Sequence, residues 1–266
     1  MTKVAFISDL HFGTVPDGLA DTLQQDLHDQ SLDAVVVVGD MTQRARRHEY
    51  RAAAAFIGEL PGQVLVVPGN HDIPTWNLLA RAAWPYRRYK RHFGAPEVQS
   101  AVFDDLVVVA LNTAKRMQPH LRWQEGTLRR RQVRHACHLI AAQDPGLLKI
   151  IATHHPLVRS SVVERAIPAR RARAGLQAFA DAGVDMLVSG HTHLPFRHAI
   201  EAPLQHDGEG ILALGTPSAL SDRLRGEPNG YWMVTADSGK LQPQLRSYRE
   251  GRYQAEEPAD VTVVEP

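Results

Sequence analysis

Three observations predict an α/β fold, a sheet carrying helices on its outer faces. Short apolar runs rich in Val, Ile and Leu alternate along the chain with longer amphipathic stretches. The runs are continuously apolar instead of alternating with polar residues, as strands covered on both faces require. Several of them also end in polar side chains able to bind metal, and binding sites of α/β sheets collect at that strand edge.

Taken in order, residues 4–8 form the first expected strand, followed by Asp9-Leu10-His11 and a helix over 19–30. A strand over 34–38 runs into Gly39-Asp40, and a helix follows over 48–60. The strand at 64–67 leads into Gly69-Asn70-His71-Asp72. The stretch 76–93 carries Trp76, Trp84, Tyr86, Tyr89 and Phe93 among arginines and a lysine, and Pro85 divides it into two short pieces. A strand over 106–111 ends at Asn112, and a helix is expected at 128–142. The strand at 149–153 ends in His154-His155-Pro156, and after a helix at 171–181 the strand at 186–189 ends in Gly190-His191-Thr192-His193. A strand at 211–214 and late antiparallel strands near 230–235 and 241–248 complete the pattern. We expect one domain over 1–253 and an acidic tail over 254–266, mobile or docked along an edge.

The blocks together supply two aspartates, an asparagine amide and at least four histidines, enough for two metal ions. Oxygen and imidazole donors without thiolate suit manganese, iron or zinc. Each block alone is weak. An Asp at a strand end is a common turn residue, and loop histidines are ordinarily satisfied by water. Asp9 and His11, like His191 and His193, are spaced to project to one side of an extended backbone. Gly190 permits an unusual turn before its two histidines. Of the neighbours His154 and His155, the first directly ends its strand and is the expected ligand, leaving His155 to packing or support.

Composition narrows the function classes. With 266 residues, 44% apolar content, 22% charge and a net charge of +1, the chain reads as an ordinary globular protein without a global field for nucleic acid or membrane. Cys137 is the only cysteine, which excludes an intrachain disulfide and a cysteine-built zinc site. No run approaches the roughly 18 apolar residues of a membrane span. Cleavage of a signal peptide would remove Asp9, so a cytoplasmic protein is expected. Basic residues cluster at Arg129, Arg130, Arg131 and Arg134, at Arg170, Arg171 and Arg173, and at Arg81, Arg87, Arg88, Lys90 and Arg91. The first two groups read as solvated helix faces. His135 and His138 have helical spacing, but the arginines beside them disfavour a cation there.

The ordered set Asp-x-His, Gly-Asp, Gly-Asn-His-Asp, His and Gly-His-x-His resembles the calcineurin-like metallophosphoesterase family over residues 4 to about 215. Within it, the resemblance runs to the bacterial cyclic-nucleotide phosphodiesterase and glycerophosphodiesterase branch. The resemblance implies a four-layer αββα sandwich of two mixed sheets. It implies one metal on Asp9, His11, Asp40 and His193, and a second on Asp40, Asn70, His154 and His191. The ions would be divalent or of mixed valence, with a bridging hydroxide attacking a phosphodiester in line and His71 assisting the leaving oxygen.

Two departures matter. Protein phosphatases of this fold carry a second Asp where this chain has Gln43, which argues against that activity and leaves the tuning of His71 open. The lipid pyrophosphatases that cleave UDP-diacylglucosamine carry Arg where this chain has His71. A membrane-surface pyrophosphatase is therefore the second reading, and a non-catalytic metal-binding module the third. The expected partner is a small phosphodiester, with no nucleic-acid duplex and no integral membrane segment; the oligomeric state is open, a dimer included. Trp76, Tyr86 and Asn112 are candidate substrate contacts. The 76–93 stretch reads either as a lid that stacks on substrate or as an excursion packed on the sheet.

Overall fold

The computed structural model describes residues 1–74, 77–116, 124–159, 167–200, 210–257 and 261–264. Two mixed sheets face each other. The first takes β1 (Thr2–Ile7), β2 (Ala34–Val37), β3 (Gln63–Val66), β10 (Gly230–Asp237), β11 (Lys240–Arg249) and β12 (Arg252–Ala255), in the order β12-β11-β10-β1-β2-β3. The second takes β4 (Val98–Val102), β5 (Leu106–Leu111), β6 (Leu148–Thr153), β7 (Met186–His193), β8 (Phe196–Ile200), β9 (Leu212–Pro217) and β13 (Thr262–Val264), in the order β13-β8-β9-β7-β6-β5-β4. Parallel pairing runs β1-β2-β3 in one and β5-β6-β7-β9 in the other, so the ends of these strands point the same way within each sheet.

The continuous apolarity of the strands follows from three apolar layers. Val4, Phe6, Val36, Leu65 and Trp232 of the first sheet meet Val108, Ile150 and Val188 of the second. Their neighbours Ala5, Ile7, Val35 and Val37 turn outward beneath α1 (Leu19–Asp29) and α2 (Arg47–Gly58). Val107, Val109 and Ile151 of the second sheet pack beneath α5 (Arg130–Ala141) and α6 (Ala172–Asp181). Both faces of each central strand are thus dry, and the molecule is the expected four-layer sandwich. The Trp232 indole N–H donates to the Gly215 carbonyl at 2.6 Å and ties the sheets together.

The Pro85 region forms two short helices, α3 (Leu78–Ala83) and α4 (Arg87–Phe93). β12 pairs with β11, and β13 pairs with β8, so parts of the chain's last stretch extend an edge of each sheet. β4 and β8 were not expected from the sequence; they are short and flank the buried strands. Among the described residues no helix is long and apolar enough to cross a membrane.

Candidate metal centre

The parallel strand ends of both sheets deliver the motif blocks to one place. Asp9 and His11 follow β1, Asp40 follows β2, Asn70 and His71 follow β3, and His154 follows β6. His191 and His193 lie inside β7, where the pairing with β9 shifts register between Ser189 and His193. The backbone at these positions is not extended. Asp9, His11, Asp40, His191 and His193 have φ of 54°, 46°, 52°, 69° and 57°, a left-handed conformation that L-residues seldom adopt and that clusters at functional sites. A left-handed bend, not strand alternation, aims the paired ligands. Gly190 is needed for its missing side chain: a Cβ there would collide with the Ser8 hydroxyl. A Cβ on Gly69 would likewise strike the Asp40 carboxylate.

Two constellations result. In the first, His193 Nε2 lies 3.2 Å and His11 Nε2 3.6 Å from Asp9 Oδ1, with the two imidazole nitrogens 3.3 Å apart. The other Asp9 oxygen is already engaged, accepting from the Ser8 hydroxyl at 2.6 Å and the His191 N–H at 2.9 Å. In the second, His154 Nε2 lies 3.3 Å from Asp40 Oδ2. Asp40 Oδ2 is also 3.9 Å from His11 Nε2, so one oxygen faces both groups. Asp40 Oδ1 accepts from the His71 N–H at 2.8 Å.

Backbone carbonyls fix which imidazole nitrogen points inward. His154 Nδ1 donates to the Val38 carbonyl at 2.8 Å and His193 Nδ1 to the Arg223 carbonyl at 3.2 Å, leaving Nε2 of each toward the carboxylates. His155 is arranged differently. Its Nδ1 is 2.8 Å from the Thr113 hydroxyl and its Nε2 is 2.8 Å from the Gln124 carbonyl, so both nitrogens have protein partners although its ring packs against those of His154 and His191.

The electrostatics show how tightly these groups depend on one another. Burial works to raise Asp9 and Asp40, but His193 and His11 hold Asp9, and His154 and His71 hold Asp40, well below the usual carboxylate range. Burial also works against charge on His154, yet the Asp40 carboxylate drives it up to about 9. His191, buried and next to His154, is pushed down to about 3.

A site for metal would leave donor atoms short of good hydrogen bonds, and this cluster does. Asp9 Oδ1, His154 Nε2 and both side-chain atoms of Asn70 are buried and make no well-formed hydrogen bond. Stranding four polar atoms in a dry interior is costly unless a ligand satisfies them. Ligand atoms of Asp9, His11 and His193, and of Asp9, Asp40 and His154, lie within 4.8 Å of one another. The set fits divalent ions that accept nitrogen and oxygen.

The sequence pattern described as calcineurin-like phosphoesterase matches residues 2–195. The chain belongs to this family. Among characterised relatives, the glycerophosphodiester phosphodiesterase GpdQ of Enterobacter lignolyticus is 38% identical over 81 residues, covering 26% of this chain and 29% of the relative. Among solved structures, the purple acid phosphatase PPD1 of yellow lupin superposes with a TM-score of 0.70 at 16% identity, over 99% of this chain and 54% of that one. A dimetal phosphatase of Danio rerio superposes with a TM-score of 0.62 at 12% identity, covering 96% of this chain and 98% of the other. At such identities the structural likeness establishes the fold. The chain also spans only part of the length of the first two.

In this calcineurin-like phosphoesterase, further contacts that the sequence did not assign support the centre. The Asp72 carboxylate accepts from the backbone N–H of Gly69 at 2.9 Å and Thr42 at 2.9 Å, and from the Thr42 hydroxyl at 3.0 Å, clamping two ligand loops together. Burial and the nearby Asp40 charge push Asp72 up to about 7, against those donors. His71 Nδ1 donates to the Gln43 backbone carbonyl at 2.8 Å. Its ring meets that of His11 edge-on, centroids 4.9 Å apart. The ring is thus oriented by a backbone group where the protein phosphatases use a carboxylate. The Gln43 amide lies 3.0 Å from His11 Nδ1 and 3.1 and 3.3 Å from the Arg223 guanidinium nitrogens. Hydrogen-bond chemistry sets its oxygen toward the guanidinium.

Of the candidate substrate contacts, Trp76 lies outside the described residues. Tyr86 is partly buried, and its hydroxyl donates to the Ala114 carbonyl at 2.7 Å. Asn112 is buried, and its Oδ1 accepts from the Ala114 N–H at 2.8 Å. Both side chains tether the loop after β5.

Proposed function

We propose that this chain is a two-metal phosphodiesterase. The observation that carries the reading is Asp40 Oδ2, placed 3.3 Å from His154 Nε2 and 3.9 Å from His11 Nε2, where one carboxylate can serve two ions. Asp9, His11, Asp40 and His193 would hold one ion; Asp40, Asn70, His154 and His191 would hold the other. Ions bound there would supply Lewis acidity for phosphoester hydrolysis.

The chain's own residues do the rest. The carbonyls of Val38 and Arg223 keep Nε2 of His154 and His193 aimed inward. His71, partly exposed at the edge of the cluster, hands a proton to the leaving oxygen, and the Gln43 carbonyl holds its ring in position. Burial of the carboxylates keeps competing water away and strengthens each interaction. The diester preference is supported by the resemblance to glycerophosphodiester phosphodiesterase GpdQ and by Gln43 in place of an aspartate.

The deciding experiment is a substrate panel run with manganese, zinc or iron. Bis-p-nitrophenyl phosphate, a cyclic nucleotide and a glycerophosphodiester should be cleaved faster than p-nitrophenyl phosphate, and chelation should stop all turnover. A monoester cleaved faster than every diester would overturn the diesterase reading, and turnover after complete chelation would overturn the two-metal reading.

A further inference from the structure

The segment after His71 is not used by the catalytic reading, and α3 within it is built inside out. Its one buried residue is Arg81, whose guanidinium donates to the carbonyls of Arg116 at 2.6 Å, Lys115 at 3.1 Å and Pro74 at 3.2 Å. Its large apolar side chains face water instead: Leu78 is 72% exposed, Leu79 84%, and Trp84 at its C-cap 66%. A surface helix normally does the reverse. Single exposed leucines need no explanation, but three large apolar side chains turned to water along one short helix mark it as an element with apolar surface to cover.

Beside this patch lies a groove of about 310 Å³, lined by Arg47 and Arg51 of α2, by Arg87, Arg88 and Arg91 of α4, and by Trp84. Among the described residues none of these five guanidinium groups has a carboxylate within ion-pair distance. Asp72 also lines the groove, but its oxygens are taken by the N–H groups of Gly69, Met41 and Thr42. Five gathered positive charges repel one another until an anionic surface meets them.

We propose that this face docks the protein on an anionic lipid bilayer, the arginines on headgroup phosphates and Leu78, Leu79 and Trp84 in the interface. A small soluble anion would account for the arginines and leave the outward leucines unexplained. Trp84 shares the groove with the five arginines, and Leu78 and Leu79 stand exposed on the helix that Trp84 caps. Cationic with apolar side chains is the combination that holds peripheral proteins on membranes. Pro74 lines the same groove and closely follows His71, so docking sets the catalytic crevice beside the lipid surface. The proposal is independent of which phosphoester is cleaved.

Co-sedimentation of the metal-loaded protein with vesicles tests it. The protein should pellet with phosphatidylcholine vesicles containing phosphatidylglycerol and stay in solution with phosphatidylcholine alone. Arginines near an anionic surface each contribute about fivefold to partitioning, so Arg87→Glu with Arg91→Glu should weaken binding by at least about 25-fold. Leu78→Ser with Leu79→Ser should weaken it by about tenfold or more. Both variants should keep wild-type circular dichroism and wild-type turnover of bis-p-nitrophenyl phosphate in solution. Added salt should loosen the wild-type protein from vesicles, a measurement that needs no variant. Failure of the wild-type protein to bind the anionic vesicles, or binding unchanged in both double variants, overturns the proposal. Thermal stabilisation by inorganic pyrophosphate without vesicle binding would also overturn it and make the groove a small-anion site. Loss of docking with turnover intact leaves the diesterase reading untouched.

Discussion

The six-stranded sheet brings Asp9, Asp40 and the Asn70 amide to the crevice, together with His11 and His71, whereas the seven-stranded sheet brings only the imidazoles of His154, His191 and His193. Negative charge therefore sits on one side of the cluster, and the groups that answer it stand largely opposite. His154 and His191 belong to neighbouring strands of one sheet, yet the first is driven up to about 9 and the second down to about 3. His154 is raised from across the interface by the Asp40 carboxylate at 3.3 Å, whereas His191 is lowered by burial and by His154, its neighbour in the same sheet. The opposing sheet raises the one histidine, and burial with a same-sheet neighbour lowers the other. Each sheet alone would hold half a site.

The sharpest way to break this complementarity is at Asp40, where the halves meet. Asp40→Ala should abolish hydrolysis and leave fewer than two metals per chain by elemental analysis. A folded variant with near-normal turnover and two metals would remove the shared-ligand assignment. His71→Ala should do less, because the role proposed for His71 is proton donation and not ligation. It should retain both metals and lose about 10²–10⁴-fold in rate, with a smaller loss on substrates whose leaving group is very acidic. Loss of metal would show that its role is ligation.

A pH titration of metal-free protein sharpens the contrast between the two histidines. His154 has its proton affinity raised on folding, from 6.5 to about 9. Its contribution to stability is therefore complete below about pH 6.5 and disappears as pH rises through about 9. Asp40 has the opposite sign: its depressed pKa adds stability above the usual carboxylate range and loses it in acid. Melting temperature in chelator should fall between pH 6.5 and 9, and His154→Gln should flatten that slope. An equal slope in the variant would place the titration elsewhere.

The smallest effect concerns Tyr86, outside both sets. Tyr86→Phe removes the hydrogen bond to the Ala114 carbonyl and should cost about 1 kcal/mol of stability, with the Michaelis constant of a nucleotide substrate unchanged. A higher Michaelis constant for that substrate in Tyr86→Phe, without a change in melting temperature, would put its hydroxyl against the substrate.

These contrasts were unevenly legible in the sequence. The strand ends were readable because both faces of β1, β2, β3, β5, β6 and β7 are covered, so apolarity runs unbroken up to the first polar residue. The pattern alone thus places Asp9, Asp40, Asn70 and His154 at one edge. The short strands β4, β8 and β13 lie outside those continuous runs, and their brief patterns resemble loops. Supporting contacts were hidden for another reason. His71 is oriented by the carbonyl of Gln43, a group every residue possesses, so no residue type announces the role. Arg223 lies in a stretch without periodicity, far along the chain from the histidine it supports. The inverted burial of Arg81 beside Leu78 and Leu79 is likewise invisible to a reading that assumes apolar side chains turn inward.

The left-handed bends at Asp9, His11, Asp40, His191 and His193 carry a lesson for anyone who would build such a centre elsewhere. Each bend costs an L-residue roughly 1 kcal/mol, and the surrounding packing must impose it. Copying residue identities onto the regular strand ends of another scaffold would carry over the donors and lose their aim. A transplant has to treat the dihedral pattern as part of the sequence to be copied, with Gly69 and Gly190 as the neighbours that make room for it and the Ser8 hydroxyl as the donor that holds Asp9.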